Sequence, residues 1–267
     1  EMMDNLAPNL EAIVNYLPGK VNSGSAETSP AIGPDGSLYF SSFNRKKEII
    51  LDGSEKDYHA KLFTAEKNDK GEYDKITALP ENINRTEFNT AGAAFSRDGK
   101  RMYFTRALLQ NNNIESSTLF VSTRGDAGWS APREITELKG DFIVKHPYVG
   151  ELFGNEVLFF SSNMLGGLGG YDLFYSQIKG DSYGIPTNLG NVINTAADEV
   201  SPYYNNGTLY FSSNGHPNIG GFDIFYANWN GFNWEGLTNI GFNYNSAYDD
   251  LFFRFNESGS SGFLVSN

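Results

Sequence analysis

The segment EVSPYYNNGTLYFSSNGHPNIGGFDIFYA, residues Glu199–Ala227, decides the fold of this chain. It contains three short apolar or aromatic runs, which are separated by an Asn-Asn-Gly turn and by a glycine-rich loop. Turns of this composition close tight hairpins, because their residues accept positive φ angles. The segment therefore predicts three consecutive antiparallel β-strands.

The same pattern recurs along the whole chain, in four full copies and one half copy. Each copy has an aromatic or apolar pair in its second strand: Tyr39-Phe40, Tyr103-Phe104, Phe159-Phe160, Tyr210-Phe211 and Phe263-Leu264. The second members stand at positions 40, 104, 160, 211 and 264, so the copies are 64, 56, 51 and 53 residues apart. Repetition at such a period indicates a repeat architecture.

A fourth, weaker strand segment completes each full copy and runs through Ile76, Ile135, Leu189 and Ile240. Four antiparallel strands in about fifty residues are typical of one β-propeller blade. We therefore expect an all-β fold, a five-bladed β-propeller of four-stranded antiparallel blades. The blades lie near residues 27–80, 87–138, 144–193, 198–241 and 247–267 of a single domain, 1–267.

The last copy ends after its second strand, and the N-terminal segment offers a way to complete it. LPGKVNSGSAETSP, residues 17–30, is similar to NLGNVINTAADEVSP, residues 188–202, which leads from one copy into the next. We therefore expect residues 1–16 to be a linker and closing strand, in which residues 10–16 form the outer strand of an incomplete last blade. The alternative is an open four-bladed array with a frayed end.

Composition excludes several classes of function. The formal net charge is -12, from 20 Lys and Arg against 32 Asp and Glu, which argues against nucleic acid as a partner. The chain has no cysteine, and no apolar run approaches the 18 residues of a membrane-spanning helix. It also lacks the common nucleophile, zinc-protease, phosphate-loop and calcium-loop motifs. We therefore expect no enzymatic activity, no cofactor and no metal.

Three carboxylates stand at equivalent places at the start of a first strand, namely Glu27, Glu199 and Asp250. They either present an acidic rim or cap backbone N–H groups where a blade begins. His146 begins the first strand of the third copy, where two other copies have serine. It either faces the central channel or is a structural histidine.

The glycine loops GGYD and GGFD precede Asp172 and Asp223. These loops lead into a strand and not a helix, so they lack the helix N-terminus that binds phosphate. We expect the two aspartates to be structural and to accept hydrogen bonds from the local backbone.

The first two copies have long segments between their second and third strands, 43–59 and 107–116, which we expect to be loops. Function concentrates in such loops, so we expect a protein partner to bind on this side. The candidate partner-binding residues are Arg45, Lys46, Lys47, Leu108, Leu109, His146, Glu27, Glu199 and Asp250.

Three phrases of the sequence also resemble a known family: SPYYNNGTLYFSSN followed by GGFDIFYA, FSSNMLGGLGGYDLFYS, and the crossover NLGNVINTAADEVSP. They are similar to the TolB-like, WD40-like β-propeller repeat of OmpA-family envelope proteins of Bacteroidetes. The resemblance implies a periplasmic lipoprotein associated with the outer membrane.

In that family the propeller would be a non-enzymatic interaction or scaffold module of an assembly such as the type IX secretion system. Its partners would be envelope proteins, and peptidoglycan would be bound by a domain outside this chain. Two alternatives stay open, a carbohydrate- or peptidoglycan-binding propeller and, third, a five-bladed glycoside hydrolase.

Overall fold

The computed structural model describes residues 12–43, 59–110, 113–256 and 259–266. Within these residues the chain forms twenty β-strands in five antiparallel sheets, together with one 3-10 helix, Thr136–Leu138. None of the described segments is a helix long and apolar enough to cross a membrane. The chain is therefore all-β, as the repeats predict.

The first two sheets pair their strands in sequence order. Sheet I consists of β1 (Glu27–Ile32), β2 (Leu38–Ser42), β3 (Lys61–Lys67) and β4 (Tyr73–Ala78). Sheet II consists of β5 (Asn89–Phe95), β6 (Arg101–Gln110), β7 (Asn113–Gly125), β8 (Gly128–Trp129) and β9 (Arg133–Glu134), the last two both pairing with β7.

Sheets III and IV repeat this arrangement, and sheet V contains only two strands. Sheet III consists of β10 (Val144–Leu152), β11 (Asn155–Ser162), β12 (Asp172–Lys179), β13 (Ser182–Tyr183) and β14 (Thr187–Asn188). Sheet IV consists of β15 (Glu199–Asn205), β16 (Thr208–Ser213), β17 (Asp223–Trp229) and β18 (Trp234–Asn239), and sheet V of β19 (Asp250–Phe255) and β20 (Gly262–Ser266).

The first strands of the five sheets contact one another in a closed order. β1 lies against β5, β5 against β10, β10 against β15, β15 against β19, and β19 returns to β1. All five pairs predicted from the repeats lie on the second strand of their sheet. The fold is thus a β-propeller arrangement with four complete blades, and the two-stranded sheet V lies between the fourth blade and the first.

The hydrophobic core is divided into clusters between neighbouring sheets. Phe160 of sheet III packs with Tyr103 of sheet II, and Phe211 of sheet IV packs with Phe159 of sheet III. Phe263 of sheet V packs against the cluster of sheet I. Because both faces of a blade are covered, the second strands are apolar without alternation.

Every first strand contains a β-bulge at the same place. The bulged residues all have a positive φ angle near 55° or 72°: Ser29, Gly92, His146, Ser201 and Phe252. A positive φ is strained for residues other than glycine, and it persists only where the surrounding structure enforces it. The repetition at five positions shows that the bulge belongs to the architecture.

The N-terminal segment differs from its predicted role as closing strand. Residues 12–16 form no strand, and residues 1–11 lie outside the described part. The following stretch, 17–21, was predicted to be part of a crossover, and its Gly19 makes a parallel bridge with Tyr73 of sheet I, where a Cβ atom would lie 2.2 Å from the Tyr73 carbonyl oxygen. Leu17 and Val21 pack into the cluster of sheet I, so burial of these apolar side chains directs the segment there.

The segment 107–116, predicted to be a loop, is also different. β6 and β7 extend through it, and Gln110 pairs with Asn113. The ladder continues because polar side chains such as Glu115 and Ser116 are compatible with an exposed two-stranded extension. The other predicted loop, 43–59, lies largely outside the described residues.

Candidate functional site

The first strands begin on one side of the ring, which we call the start face. The connections between second and third strands, and the crossovers from one sheet to the next, lie on the same side. The opposite side, which carries the turns between first and second strands, is the turn face. The candidate residues that the structure describes lie on the start face or in the ring behind it.

The three equivalent carboxylates accept hydrogen bonds from the crossovers that precede them. Glu199 accepts hydrogen bonds from Thr195 N (2.8 Å), Thr195 Oγ1 (2.7 Å) and Ser213 Oγ (2.8 Å). Glu27 is bound in the same way by Ser23 and Ser42, and Asp250 by Ser246.

Glu199 and Asp250 are completely buried. Burial raises the pKa of Glu199, and the hydrogen bonds from Thr195 and Ser213 oppose that rise. The side chains of Glu199 and Asp250 therefore present no acidic rim to a partner, which corrects that expectation. They correspond to the capping alternative raised by the sequence.

Asp172 and Asp223 occupy equivalent positions at the start of the third strand. Asp172 accepts hydrogen bonds from Leu168 N (2.6 Å), Gly169 N (3.0 Å) and Asn188 Nδ2 (2.8 Å). Asp223 has the same three kinds of donor, in Ile219, Gly220 and Asn239. Both carboxylates are buried and each closes its own glycine loop.

The glycines of these loops allow close contact with the next crossover. A Cβ atom on Gly169 would lie 2.3 Å from the Ala197 carbonyl oxygen, and one on Gly220 would lie 2.4 Å from the Ser246 carbonyl oxygen. The loop of one sheet is thereby joined to the start of the next.

Two further partner-binding candidates, Leu108 and Leu109, lie in a strand. They are half-buried members of β6, paired with Ser116 and Ile114. They belong to the hairpin of β6 and β7 and not to the loop that the sequence predicted. Arg45, Lys46 and Lys47 lie outside the described residues.

His146 lies in the ring of first strands. Its Nδ1 accepts a hydrogen bond from Ser201 N (3.3 Å), and its ring meets the Phe252 ring edge-on at 4.8 Å. Burial lowers the pKa of His146 well below its usual range, and the nearby charges of Lys145 and Arg254 lower it further. The imidazole is therefore neutral at pH 7, with its proton on Nε2, because Nδ1 acts as the acceptor.

A buried arginine, Arg254, lies beside this histidine on β19. Its guanidinium stands over the ring of Tyr148 at 5.1 Å, and its side chain is 9% exposed. Nothing in the repeats predicts it, since the equivalent positions hold Ala31, Ala94, Tyr148 and Tyr203.

Two aromatic side chains occupy equivalent positions on the start face. Tyr171 and Phe222 directly precede Asp172 and Asp223, and both are partly exposed. Their backbone N–H groups are bound by Asp198 (2.8 Å) and by Asp249 (2.9 Å) of the following crossover. The aromatic positions are thus fixed by the glycine loops.

Lys145 lies on β10, the first strand of sheet III, and contacts the side chain of Tyr171. Its ammonium group lies 3.3 Å from the centre of the Tyr171 ring, a close cation–π contact. Burial lowers the pKa of Lys145 to about 8, and Asp198 opposes this shift. Tyr171 therefore lies where the start face meets the first strands.

The sequence did not lead us to predict a set of buried asparagines. Their side-chain amides pair with the N–H and C=O groups of one strand residue, as a neighbouring strand would. Asn194 donates to the Leu173 carbonyl and accepts from the Leu173 N–H (2.9 and 2.8 Å), and Asn84 and Asn245 do the same for Leu62 and Ile224. Their signal is an asparagine at the same distance before each following first strand. The described residues contain no group of three or more side chains able to hold a metal ion.

No protein-family model and no curated protein matches this chain. Several solved structures are similar in fold. A thermostable family-43 glycoside hydrolase has a TM-score of 0.56 at 10% identity, covering 92% of this chain and 85% of its own. The alpha-L-arabinofuranosidase from Lactobacillus brevis has a TM-score of 0.54 at 12% identity, covering 91% and 83%.

A third similar structure is the alpha-L-arabinofuranosidase from Podospora anserina in complex with cellotriose, with a TM-score of 0.50 at 17% identity, covering 84% of this chain and 72% of that one. The expectation that this chain is not an enzyme is therefore wrong, since the structures it resembles are glycoside hydrolases. The absence of a familiar catalytic motif from the sequence did not exclude an enzyme, because these hydrolases share the fold at only 10–17% identity. At this identity the comparisons establish the propeller fold.

Proposed function

We propose that this protein is a carbohydrate-active propeller that binds a glycan on its start face. The observation that carries the proposal is the pair Tyr171 and Phe222, partly exposed and at equivalent positions on neighbouring blades. Sugar rings present apolar C–H faces that stack on aromatic rings, and repeated aromatic positions are what a glycan-binding propeller requires. The fold shared with glycoside hydrolases supports the same class of ligand.

The arrangement around Tyr171 suits a sugar ligand in a second way. Lys145 and Asp198 lie beside the ring and offer a hydrogen-bond donor and an acceptor for hydroxyl groups. Sugar sites commonly combine an apolar platform with a few fixed polar groups.

Titration of the protein with neutral and acidic oligosaccharides by calorimetry tests this function. Tyr171→Ala and Phe222→Ala should each weaken binding about tenfold, which corresponds to roughly 1.4 kcal/mol. The matched control is Phe232→Ala, which removes an aromatic side chain that is 83% exposed in the connection between β17 and β18, on the turn face. Equal affinity for all three variants would refute the start-face site.

Hydrolysis of the bound glycan is the second candidate, favoured by the fold that this chain shares with glycoside hydrolases. Release of reducing ends from arabinose- or xylose-containing oligosaccharides measures this activity. Binding without any release would leave carbohydrate recognition as the function.

We also propose that sheet V is the first half of a fifth blade. Its first strand has the same bulge as the complete blades, at Phe252, and at Asp250 it has a crossover cap like those of sheets I and IV. The periplasmic location, the association with the outer membrane and the envelope partners stay predictions from the TolB-like repeats. With that location, peptidoglycan is the natural glycan to include in the titrations.

A further inference from the structure

The ring of first strands contains a positive charge without a counter-charge. Among the residues that the structure describes, no carboxylate and no carbonyl accepts a hydrogen bond from the Arg254 guanidinium, which stands over the Tyr148 ring and is also near Tyr203. Arginine stays protonated in proteins, so burial cannot be relieved by loss of the proton. An unpaired buried charge is unfavourable unless something else compensates it.

Within the described part of the chain, the other cations that are buried or partly buried differ from Arg254 in this respect. Arg106 donates to the carbonyl oxygens of Asn82 and Ile83, and Lys61 to those of Thr86 and Phe88. The charge of Lys145 is opposed by Asp198. The free guanidinium of Arg254 is therefore a local feature and not a general property of this fold.

Two further donors without protein acceptors lie in the same ring of first strands. The hydroxyl of Ser201 is buried, at 4% exposure, and has no hydrogen-bond partner. The Nε2 proton of His146 has no acceptor among the described residues, while Nδ1 is bound to Ser201 N. His146 lies two residues from Tyr148 on β10, and its ring meets that of Phe252, two residues from Arg254 on β19.

We propose that these groups form a binding site for a carboxylate, with Arg254 as the charged partner and Ser201 Oγ and His146 Nε2 as neutral donors. A guanidinium offers two parallel N–H groups that match the two oxygens of a carboxylate. The site is asymmetric, because only one of the five equivalent positions carries arginine.

This proposal rests on the proposed function and sharpens its ligand to a glycan that carries a carboxylate, such as a uronic or a muramic acid. The experiment is calorimetry of the whole chain with glucuronate and N-acetylmuramic acid. Glucose and N-acetylglucosamine are the neutral partners, and acetate and inorganic phosphate are the free anions. The variants are Arg254→Met, Ser201→Ala and the control Arg97→Gln, whose side chain is 83% exposed on the turn face.

Arg254→Met should weaken the acidic sugars at least tenfold and leave the neutral sugars unchanged. Ser201→Ala should weaken the acidic sugars about fivefold; since its hydroxyl has no partner in the protein, this variant retains the fold if Arg254→Met does not. Arg97→Gln should change neither. Unchanged affinity for acidic sugars in both ring variants would overturn the site.

The remaining outcomes separate this inference from the proposed function. If neutral and acidic sugars bind equally well to the protein and to Arg254→Met, the carboxylate site is wrong while carbohydrate binding stands. If no sugar binds but acetate binds and depends on Arg254, the anion site stands, and both the acidic-glycan ligand and the proposed function fail. If phosphate is bound more tightly than acetate, the assignment to carboxylate is overturned.

Discussion

Sheets I and III use opposite charges for the same purpose. At the start of the third strand, sheet III has Asp172, which accepts hydrogen bonds from backbone N–H groups of its glycine loop. Sheet I has Lys61 at the equivalent register position, where it donates to backbone carbonyls of the following crossover. The side chain is thus an acceptor in sheet III and a donor in sheet I, while both sheets keep the same strand arrangement.

This comparison shows that equivalent positions of the repeat can have the same structural role with different residues. Sheet II shows a third solution, with Arg106 in the position where sheets I and IV have the serine that binds the crossover carboxylate. Thr90 replaces that carboxylate, so the arginine reaches the crossover carbonyls instead. A motif search for GGxD therefore finds two blades out of four.

The apolar core should contribute equally to stability in sheets that differ in this charge. Phe104 of sheet II and Phe160 of sheet III are both completely buried at equivalent positions. Replacement of either by alanine should lower the free energy of unfolding by about 3–5 kcal/mol, because each leaves a cavity between sheets. Urea denaturation measures both, and a loss under about 1 kcal/mol for one of them would show that the blades are not equivalent.

Removal of the aspartate side chain should lower the stability more than removal of the lysine ammonium group. Asp223→Ala leaves the N–H groups of Ile219 and Gly220 and the Asn239 amide without their acceptor in a buried place. We expect a loss of about 2–4 kcal/mol, since unsatisfied buried donors retain their full desolvation cost. Lys61→Met leaves carbonyls near the surface and should lose only about 1–2 kcal/mol. Equal losses would remove the distinction.

The glycine loop should be sensitive to a single methyl group. In Gly220→Ala the new Cβ would overlap the Ser246 carbonyl, so the loop and the crossover must separate, at about 1–3 kcal/mol. The control is Gly24→Ala in the crossover that leads into sheet I, where a Cβ meets nothing within 4 Å. The control should stay within about 0.5 kcal/mol of the parent protein.

The smallest expected effect is the pH dependence that Lys61 introduces. Burial lowers the pKa of Lys61 to about 8, below its ordinary value of 10.5. Between these values the unfolded chain binds more protons than the folded one, so the contribution of Lys61 to stability increases as the pH rises. The difference in free energy of unfolding between the protein and Lys61→Met should therefore grow from pH 8 to 10.5. A constant difference would mean that the lysine is solvated.

The fold was accessible from the sequence because the repeat is written in residues with strong local preferences. The Asn-Asn-Gly turn and the pair Tyr210-Phe211 each select a hairpin or a buried strand on their own. The structural role of Asp172 followed from its repetition in Asp223. The described residues 12–16 were mispredicted as part of a strand, because the similarity that suggested it lies in residues 17–30 and not in the segment itself.

The candidate site was less accessible, since it depends on residues that break the repeat. Arg254 reads as an ordinary charged residue at the end of an apolar strand, and only the ring of first strands brings it next to Tyr148. Tyr171 is visible in the sequence, but its exposure is set by the glycine loop and by Lys145. Contacts between distant sheets leave no periodic signal.

The contact between β19 and β1 has a consequence for the way the chain folds. Within each sheet the strands pair with neighbours that are close in sequence, and such hairpins form quickly. Joining β19 to β1 instead closes a loop that includes all four complete blades. The entropy of that closure grows only slowly with length, yet it must be lost before the contact gives any stabilisation. Ring closure is therefore expected to be a late step, in which separate blades become one cooperative unit.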